Sequence, residues 1–71
     1  MLELMPRISG EKLRQVRDER LLSQRELAEA AGLSPTTILK LEASRVEDPH
    51  PRTVRKLAAA LKVEPRDILA D

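Results

Sequence analysis

Two helices and the tight turn between them are encoded in residues 22–43, LSQRELAEAAGLSPTTILKLEA. Ser23, with Glu26 three residues later, forms a capping box, in which each side chain accepts a hydrogen bond from the other residue's backbone amide and a helix begins. Gly32 supplies the left-handed conformation that ends a helix, and Ser34-Pro35 starts the next one because proline at the first helical position loses no hydrogen bond. We therefore predict two helices that meet across a turn of roughly three residues.

Further helices flank this pair on both sides. Ser9 can cap a first helix over residues 10–20. Apolar side chains at 54, 57, 58 and 61 repeat at the spacing of one helix face, which predicts a fourth helix beginning near Pro51. Residues 64–69, which begin with Glu-Pro, predict a short fifth helix.

The chain length allows one small domain, because 71 residues are too few to close a second core. We predict an all-α, compact five-helix domain over residues 9–71, preceded by an N-terminal arm of residues 1–8. Since the sequence contains no aromatic residue, its core must be aliphatic.

Composition also excludes several classes of function. With no cysteine and one histidine, the chain cannot build a thiolate or imidazole metal cluster. It has no arrangement of nucleophile and base, or of paired carboxylates, that predicts catalysis, so we expect no catalytic residue, no metal and no cofactor. No apolar run approaches the ~18 residues that span a bilayer, and there is no signal peptide, so we expect a cytoplasmic protein without membrane contact. Thirteen basic residues face twelve acidic ones, so any nucleic-acid role depends on where the charges lie.

Several stretches of the chain are typical of one known family. They are LSQRELA at 22–28, AGLS at 31–34, Ile38, Leu41-Glu42 and LAAAL at 57–61. Together they resemble the bacterial Cro- and cI-like repressors, also called XRE-type helix-turn-helix regulators, over roughly residues 8–69. The resemblance implies a lambda-repressor-like domain with a central helix-turn-helix. It also implies that the third helix enters the major groove of DNA, while the start of the second helix and the loop before the fourth hold phosphates on either side.

The chain departs from the family pattern at two corners and in one loop. Leu21 and Ser44 stand where relatives often carry glycine, so each corner is expected to cost about 1 kcal/mol or to adopt another turn. Glu47 and Asp48 add negative charge to the loop that should approach phosphates. This charge predicts that the tip of the loop turns away from DNA or that the affinity is modest.

The outward face of the third helix supplies the candidate base readers. Ile38 and Leu41 point inward, which leaves Pro35, Thr36, Leu39 and Lys40 facing out. Lys40 can donate to guanine, Thr36 can bond a base or a phosphate, and Leu39 can contact a thymine methyl group. The alternative for Lys40 is a solvated lysine that touches only phosphate.

Helix N-termini and the arginines around the family's backbone-binding loop supply the candidate phosphate contacts, since amides at a helix N-terminus bind anions. The set is Gln24, Arg25, Ser34, Thr37, Arg45, Arg52 and Arg55. The alternative is that Gln24 is merely solvated and that the arginines are scattered surface charge.

Four residues are predicted to have structural roles. Ala28 is small enough for the crossing of helices two and three, and Gly32 makes the corner between them. Arg17 and Glu42 match a family pair that joins helix one to the end of helix three, and we predict a partly buried ion pair. His50 is expected to be a helix cap or a surface residue and not a ligand.

Two hypotheses for the function remain open. The first is sequence-specific binding of double-stranded DNA by a homodimeric prokaryotic or phage transcriptional regulator, a repressor. The alternative is a protein-interaction helix-turn-helix module such as an antitoxin or a coactivator, with apolar Met1, Leu2, Leu4 and Met5 as a docking arm. For the homodimer, the apolar C-terminal residues Leu61, Val63, Ile68 and Leu69 predict the interface, and the segment Leu2-Leu4-Met5 is the alternative.

Overall fold

The computed structural model of the protein describes residues 7–43 and 50–70. These residues form α1 Gly10–Glu19, α2 Gln24–Ala31, α3 Pro35–Glu42, α4 Pro51–Leu61 and one 3₁₀ turn, Pro65–Asp67. The first four predicted helices and the all-α class are confirmed. No helix in the described ranges is both long and apolar enough to cross a membrane.

Side-chain caps set the start of each α-helix. The hydroxyls of Ser9 and Ser34 each accept from the amide three residues on, at 3.1 and 3.2 Å. At α2 both halves of the predicted capping box are present: Ser23 Oγ accepts from the Glu26 amide at 2.9 Å, and the Glu26 carboxylate accepts from the Ser23 amide at 2.8 Å. The ring of His50 caps α4 by accepting from the amide two residues on, at 3.1 Å. Each cap satisfies a backbone amide that its helix leaves unpaired.

Residues in the left-handed region make the turns. Gly32 ends α2 with φ 70° and ψ 35°, as predicted. Leu21, at the corner between α1 and α2, has φ 58°, and Lys62, after α4, has φ 59°. Such a conformation costs a non-glycine residue roughly 1–2 kcal/mol. Because Leu21 is 89% exposed, packing does not offset that cost, and the predicted penalty at this corner is present. The other departure from glycine, Ser44, lies outside the described residues.

The core is aliphatic and draws on every helix. α2 packs against both α3 and α4, and α1 packs against α3. Ala28, the small residue predicted for the crossing of α2 and α3, is fully buried. The largest fully buried side chains are Leu13, Leu27, Ile38, Leu41, Leu57, Leu61 and Ile68. Burying one such side chain contributes about 1.5–3 kcal/mol, so this set positions the helices.

The C-terminal segment differs from the prediction, because the fifth helix is a single 3₁₀ turn. After Pro65–Asp67 the chain pairs with the N-terminal residues: Ile8 and Leu69 form an isolated antiparallel bridge. The Ser9 amide donates to the carbonyl of Ile68 at 2.9 Å, and the Ala70 amide donates to the carbonyl of Arg7 at 2.7 Å. The predicted helical segment is therefore present but shorter than expected, because residues 68–70 pair with residues 7–9 and do not continue the helix.

This pairing changes the expected roles of both chain ends. Ile8, which the sequence assigned to the N-terminal arm, is 4% exposed and packs in the core. Leu61 and Ile68, two residues of the predicted C-terminal dimer interface, are 0% exposed within the chain. Of that predicted set, only Val63 and Leu69 retain some exposed surface for contact with a second chain. The alternative interface at residues 2–5 lies outside the described residues.

Because Gly10 has no side chain, the backbone of α1 can pack directly against the backbone at the C-terminal end of α3. A Cβ atom at Gly10 would lie 2.3 Å from the carbonyl oxygen of Glu42 and 2.8 Å from that of Leu41. Both are backbone atoms, so the two helices could not relieve the clash by a side-chain rotation. From the sequence, Gly10 was expected only to begin α1.

We expect Gly10→Ala to lower the free energy of unfolding by about 2–3 kcal/mol, because the added methyl group forces α1 away from α3. Gly32→Ala is the control: nothing lies within 4 Å of its Cβ position. It should therefore cost only the left-handed strain, about 1 kcal/mol. Urea unfolding monitored by circular dichroism measures both. A Gly10→Ala protein as stable as the wild type would contradict the close approach of the two helices.

Candidate nucleic-acid interface

The exposed face of α3 carries all four side chains that were predicted to read bases. They are Pro35, Thr36, Leu39 and Lys40, and each is exposed. Leu39 is 55% exposed, an unusual fraction for a large apolar side chain in this small domain. On the opposite face Ile38 and Leu41 are buried, at 0% and 2%. The core thus fixes which face of α3 is turned to solvent.

Two of the predicted phosphate contacts, Ser34 and Thr37, lie together at the start of α3. Their hydroxyls are 3.0 Å apart, and Ser34 Oγ also accepts from the Thr37 amide at 3.2 Å. Ser34 is exposed and Thr37 is half-buried. The two residues therefore close the first turn of the helix, and the Ser34 hydroxyl lies at the positive end of its dipole.

The start of α2 offers unpaired backbone donors. The amides of Gln24 and Arg25 are the first two of the helix, and neither has an acceptor within residues 7–43 or 50–70. A helix N-terminus carries partial positive charge, so these amides are suited to an anion. The Arg25 side chain beside them is exposed.

The fourth helix adds exposed arginines, Arg52 and Arg55, in its first two turns. Neither arginine side chain forms a hydrogen bond or ion pair with residues 7–43 or 50–70. The remaining predicted phosphate contact, Arg45, lies outside the described residues, as do Glu47 and Asp48. Together α3 and α4 contain four cationic residues and a single acidic one, Glu42.

A surface depression of about 310 Å³ joins parts of the predicted base-reading and phosphate-binding sets. Its walls come from α1, the start of α2 and the C-terminal half of α3. The lining residues are Arg14, Arg17, Gln24, Leu39, Glu42 and Ala43. Gln24 and Leu39, predicted for different roles, therefore lie in one concave surface.

An ion pair forms the floor of this depression. The Arg17 guanidinium donates to both carboxylate oxygens of Glu42, from Nε at 2.5 Å and from Nη2 at 3.0 Å. The two side chains are 12% and 6% exposed, which confirms the predicted partly buried pair. Arg17 Nη1 also donates to the Leu22 carbonyl at 2.8 Å. The hydrogen bond that Arg17 donates to Glu42 raises the pKa of Arg17 above its ordinary value, although burial acts in the opposite direction.

Gln24 takes part in the same network. Its Nε2 donates to Glu42 Oε1 at 3.0 Å, and the side chain is half-buried. The amide group keeps a second N–H and its carbonyl oxygen for another partner. Gln24 is therefore oriented by Glu42, whose negative charge is compensated by Arg17.

Sequence reasoning missed two features of this surface. The Gln24–Glu42 hydrogen bond spans 18 residues and leaves no local signal. Arg14 had a usable signal, since it lies one helical turn before Arg17 and both belong to α1. Reading α1 for its outward residues as well as its apolar ones would have identified it.

Comparison with known proteins identifies the family. A family model described as helix-turn-helix matches residues 13–68. The chain belongs to this family. The resemblance to Cro- and cI-like, XRE-type regulators and the lambda-repressor-like fold are thereby confirmed.

Individual relatives differ in what accompanies this domain. The uncharacterized HTH-type transcriptional regulator RghRB of Bacillus subtilis is 41% identical over 61 residues, which are 86% of this chain and 44% of RghRB. The biofilm master regulator SinR, solved in complex with DNA, matches with a TM-score of 0.77 and 30% identity over 80% of this chain and 90% of SinR. A hydroxyethylphosphonate dioxygenase variant matches with a TM-score of 0.79 and 31% identity over 92% of this chain but 14% of the enzyme. The chain thus spans less than half the length of the curated relatives it matches.

We expect Arg17→Ala and Glu42→Ala each to lower the free energy of unfolding by roughly 1–3 kcal/mol, because each leaves a poorly solvated charge without its partner. The double variant should lose less than the sum of the two, as coupled residues do. Arg14→Ala is the control, since this exposed arginine of the same helix has no partner in the described ranges; its effect should stay within about 0.5 kcal/mol. Urea unfolding supplies all four values. Additive losses near zero would assign Arg17 and Glu42 to the solvated surface.

Proposed function

We propose that the protein is a transcriptional regulator, a prokaryotic or phage repressor, that binds double-stranded DNA in a sequence-specific way and reads the major groove with helix 35–43. The observation that carries this proposal is the exposed face of α3, held out by a core that buries the opposite face. An α-helix fits the major groove of B-DNA. The likeness to SinR, which was solved with DNA, supports the same reading.

The distribution of charge also supports a DNA-binding face. The only acidic residue of α3 and α4 is Glu42, and its carboxylate is compensated by Arg17. Phosphates approaching these helices would therefore meet Lys40, Arg52 and Arg55 without an opposing free carboxylate from either helix. A chain with a net charge of only +1 can bind DNA in this way because the charges are arranged locally.

Each side chain has a separate role in this proposal. Lys40 donates to guanine O6 or N7, Thr36 bonds a base edge or a phosphate, and Leu39 contacts a thymine methyl group beside Pro35. The residues proposed to hold phosphates are Gln24, Arg25, Ser34, Thr37, Arg45, Arg52 and Arg55. The phosphate contacts would fix the register of α3, and the base contacts would select the sequence.

The proposal includes a homodimer that acts in the cytoplasm without catalysis, metal or cofactor. One module of this size buries about 600–1,000 Å² on DNA, and two copies on a twofold-symmetric site multiply the specificity. Residues 9–71 are proposed to act as the DNA-binding domain, with the preceding residues as an arm. Ile8 is an exception to that division, since its side chain packs in the core.

A salt titration separates DNA binding from the alternative, a protein-interaction module such as an antitoxin or coactivator. We expect the 71-residue chain to bind a random-sequence duplex with log K falling against log salt concentration at a slope of about −3 to −4 per chain, because four arginines are proposed to meet phosphates. Sedimentation of the complex on a selected operator should give two chains per duplex. An absence of duplex binding at about 50 mM salt would contradict the proposal and favour the interaction module.

Base reading and phosphate binding should give different mutant signatures. Lys40→Ala should weaken binding to an operator, selected from a random duplex pool, by about 1–3 kcal/mol while weakening random duplex much less. Arg52→Ala should weaken both duplexes alike and reduce the salt slope by about one. Gln24→Ala should weaken both with little change of slope, since a neutral amide releases no counterion.

Arg66→Ala is the matched control for Arg52→Ala. Both are exposed arginines that follow a proline at the start of a helical element. Arg66 lines a different depression, between α1 and the C-terminal segment, which includes none of the proposed DNA contacts. Equal losses on both duplexes for Lys40→Ala would make Lys40 a phosphate contact and leave Thr36, Leu39 and DNA shape to carry specificity.

A further inference from the structure

Among the described residues that line the surface depression of about 310 Å³, Arg14 is the one cation whose charge is not compensated. Its neighbour Arg17 is bonded to both oxygens of Glu42 and lies 3.4 Å from Asp18. Arg14 is exposed, and its guanidinium forms no hydrogen bond or ion pair with residues 7–43 or 50–70. The described residues that line the depression therefore carry one net positive charge, which belongs to Arg14.

The start of α2, where Gln24 lines this depression, also offers donors that are suited to an anion. Gln24 keeps one amide N–H after bonding Glu42, and the backbone amides of Gln24 and Arg25 have no acceptor in the described ranges. The space of about 310 Å³ has the volume of roughly ten water molecules, which is large compared with one phosphate group. Leu39, on the same surface, belongs to the face of α3 proposed to meet base edges.

We propose that Arg14 is a further contact to the DNA backbone, in which its guanidinium and the Gln24 side chain bind the same phosphodiester group at the depression. This inference rests on the proposed DNA-binding function and extends it to α1, which the sequence analysis gave no DNA contact. The planar guanidinium can donate two parallel hydrogen bonds to the oxygens of one phosphate. Arg14 would then add to the affinity for every duplex and would fix the register in which Leu39 and Lys40 meet the bases.

The test compares Arg14→Gln with wild type on an operator selected from a random pool and on random-sequence duplex. We expect Arg14→Gln to weaken both duplexes by about fivefold at ~100 mM salt and to reduce the salt slope by about one, as the loss of one phosphate contact requires. Arg14→Lys should restore the slope, because the charge returns, while recovering only part of the affinity, because the two parallel hydrogen bonds do not. Arg66→Gln, at an exposed arginine outside the depression, should change neither quantity.

A scan of single methylphosphonate substitutions in the operator locates the contact. In wild type, neutralising one particular phosphate in each half-site should weaken binding. In Arg14→Gln the same substitution should have a much smaller effect, which comes from Gln24 alone, whereas all other positions keep theirs. Titration with inorganic phosphate, followed by the amide NMR signals of Gln24 and Arg25, distinguishes a DNA phosphodiester from a free ion: the signals should shift with duplex and stay unchanged with millimolar phosphate.

The outcomes separate this inference from the function on which it rests. If wild type binds duplex with a steep slope but Arg14→Gln matches Arg66→Gln, the Arg14 contact is wrong and the proposed function stands. If the methylphosphonate effects are the same in wild type and Arg14→Gln, Arg14 does not bind that phosphate. Binding of inorganic phosphate in preference to duplex would make the depression a site for a free anion. If wild type binds no duplex, both proposals fail.

Discussion

The salt bridge between Arg17 and Glu42 holds together the three helices that make the candidate interface. One guanidinium reaches the carboxylate of α3 and the Leu22 carbonyl at the corner between α1 and α2. From α2, Gln24 donates to the same carboxylate. Because these charges are largely withdrawn from water, their interaction is strong only while the geometry is kept, and loss of either partner leaves a charge that the core cannot solvate.

The backbone at residue 42 is fixed as firmly as its side chain. α1 touches Glu42 at two places two turns apart: Gly10 lies against its carbonyl, and Arg17 holds its carboxylate. These two contacts fix the position of the C-terminal end of α3 against α1. The exposed face of α3 then points outward because Ile38 and Leu41 occupy the core. The fold and the candidate interface therefore depend on the same residues. A substitution that weakens the packing of α1 against α3 is expected to weaken DNA binding even where the substituted residue does not contact DNA.

Local chemistry explains how far the sequence could predict this structure. Ser23 and Glu26 lie three residues apart, and Gly32 needs only its own backbone to end α2, so the limits of α2 and α3 could be inferred without knowing the fold. The sequence predicted a longer helix after Glu64 than the single 3₁₀ turn that is present. The reason is that residues 68–70 form backbone hydrogen bonds with residues 7–9, about sixty positions away. The same limit applies to Gly10, whose requirement comes from a carbonyl on another helix. The Arg17–Glu42 pair is also distant in sequence, and it was predicted only because a family resemblance supplied the partner.

The balanced composition of the chain becomes an asymmetric surface through the order of its helices. α1 and α2 contain five acidic residues, whereas α3 and α4 contain Glu42 alone. That single carboxylate lies where DNA is proposed to approach, and by itself it would repel phosphates. Its three hydrogen-bond donors, two from Arg17 and one from Gln24, instead make it the anchor of the site. Since Arg17 is occupied in compensating Glu42, it contributes no free charge toward DNA, and among the described residues that line the depression Arg14 is the one cation left to meet a phosphate.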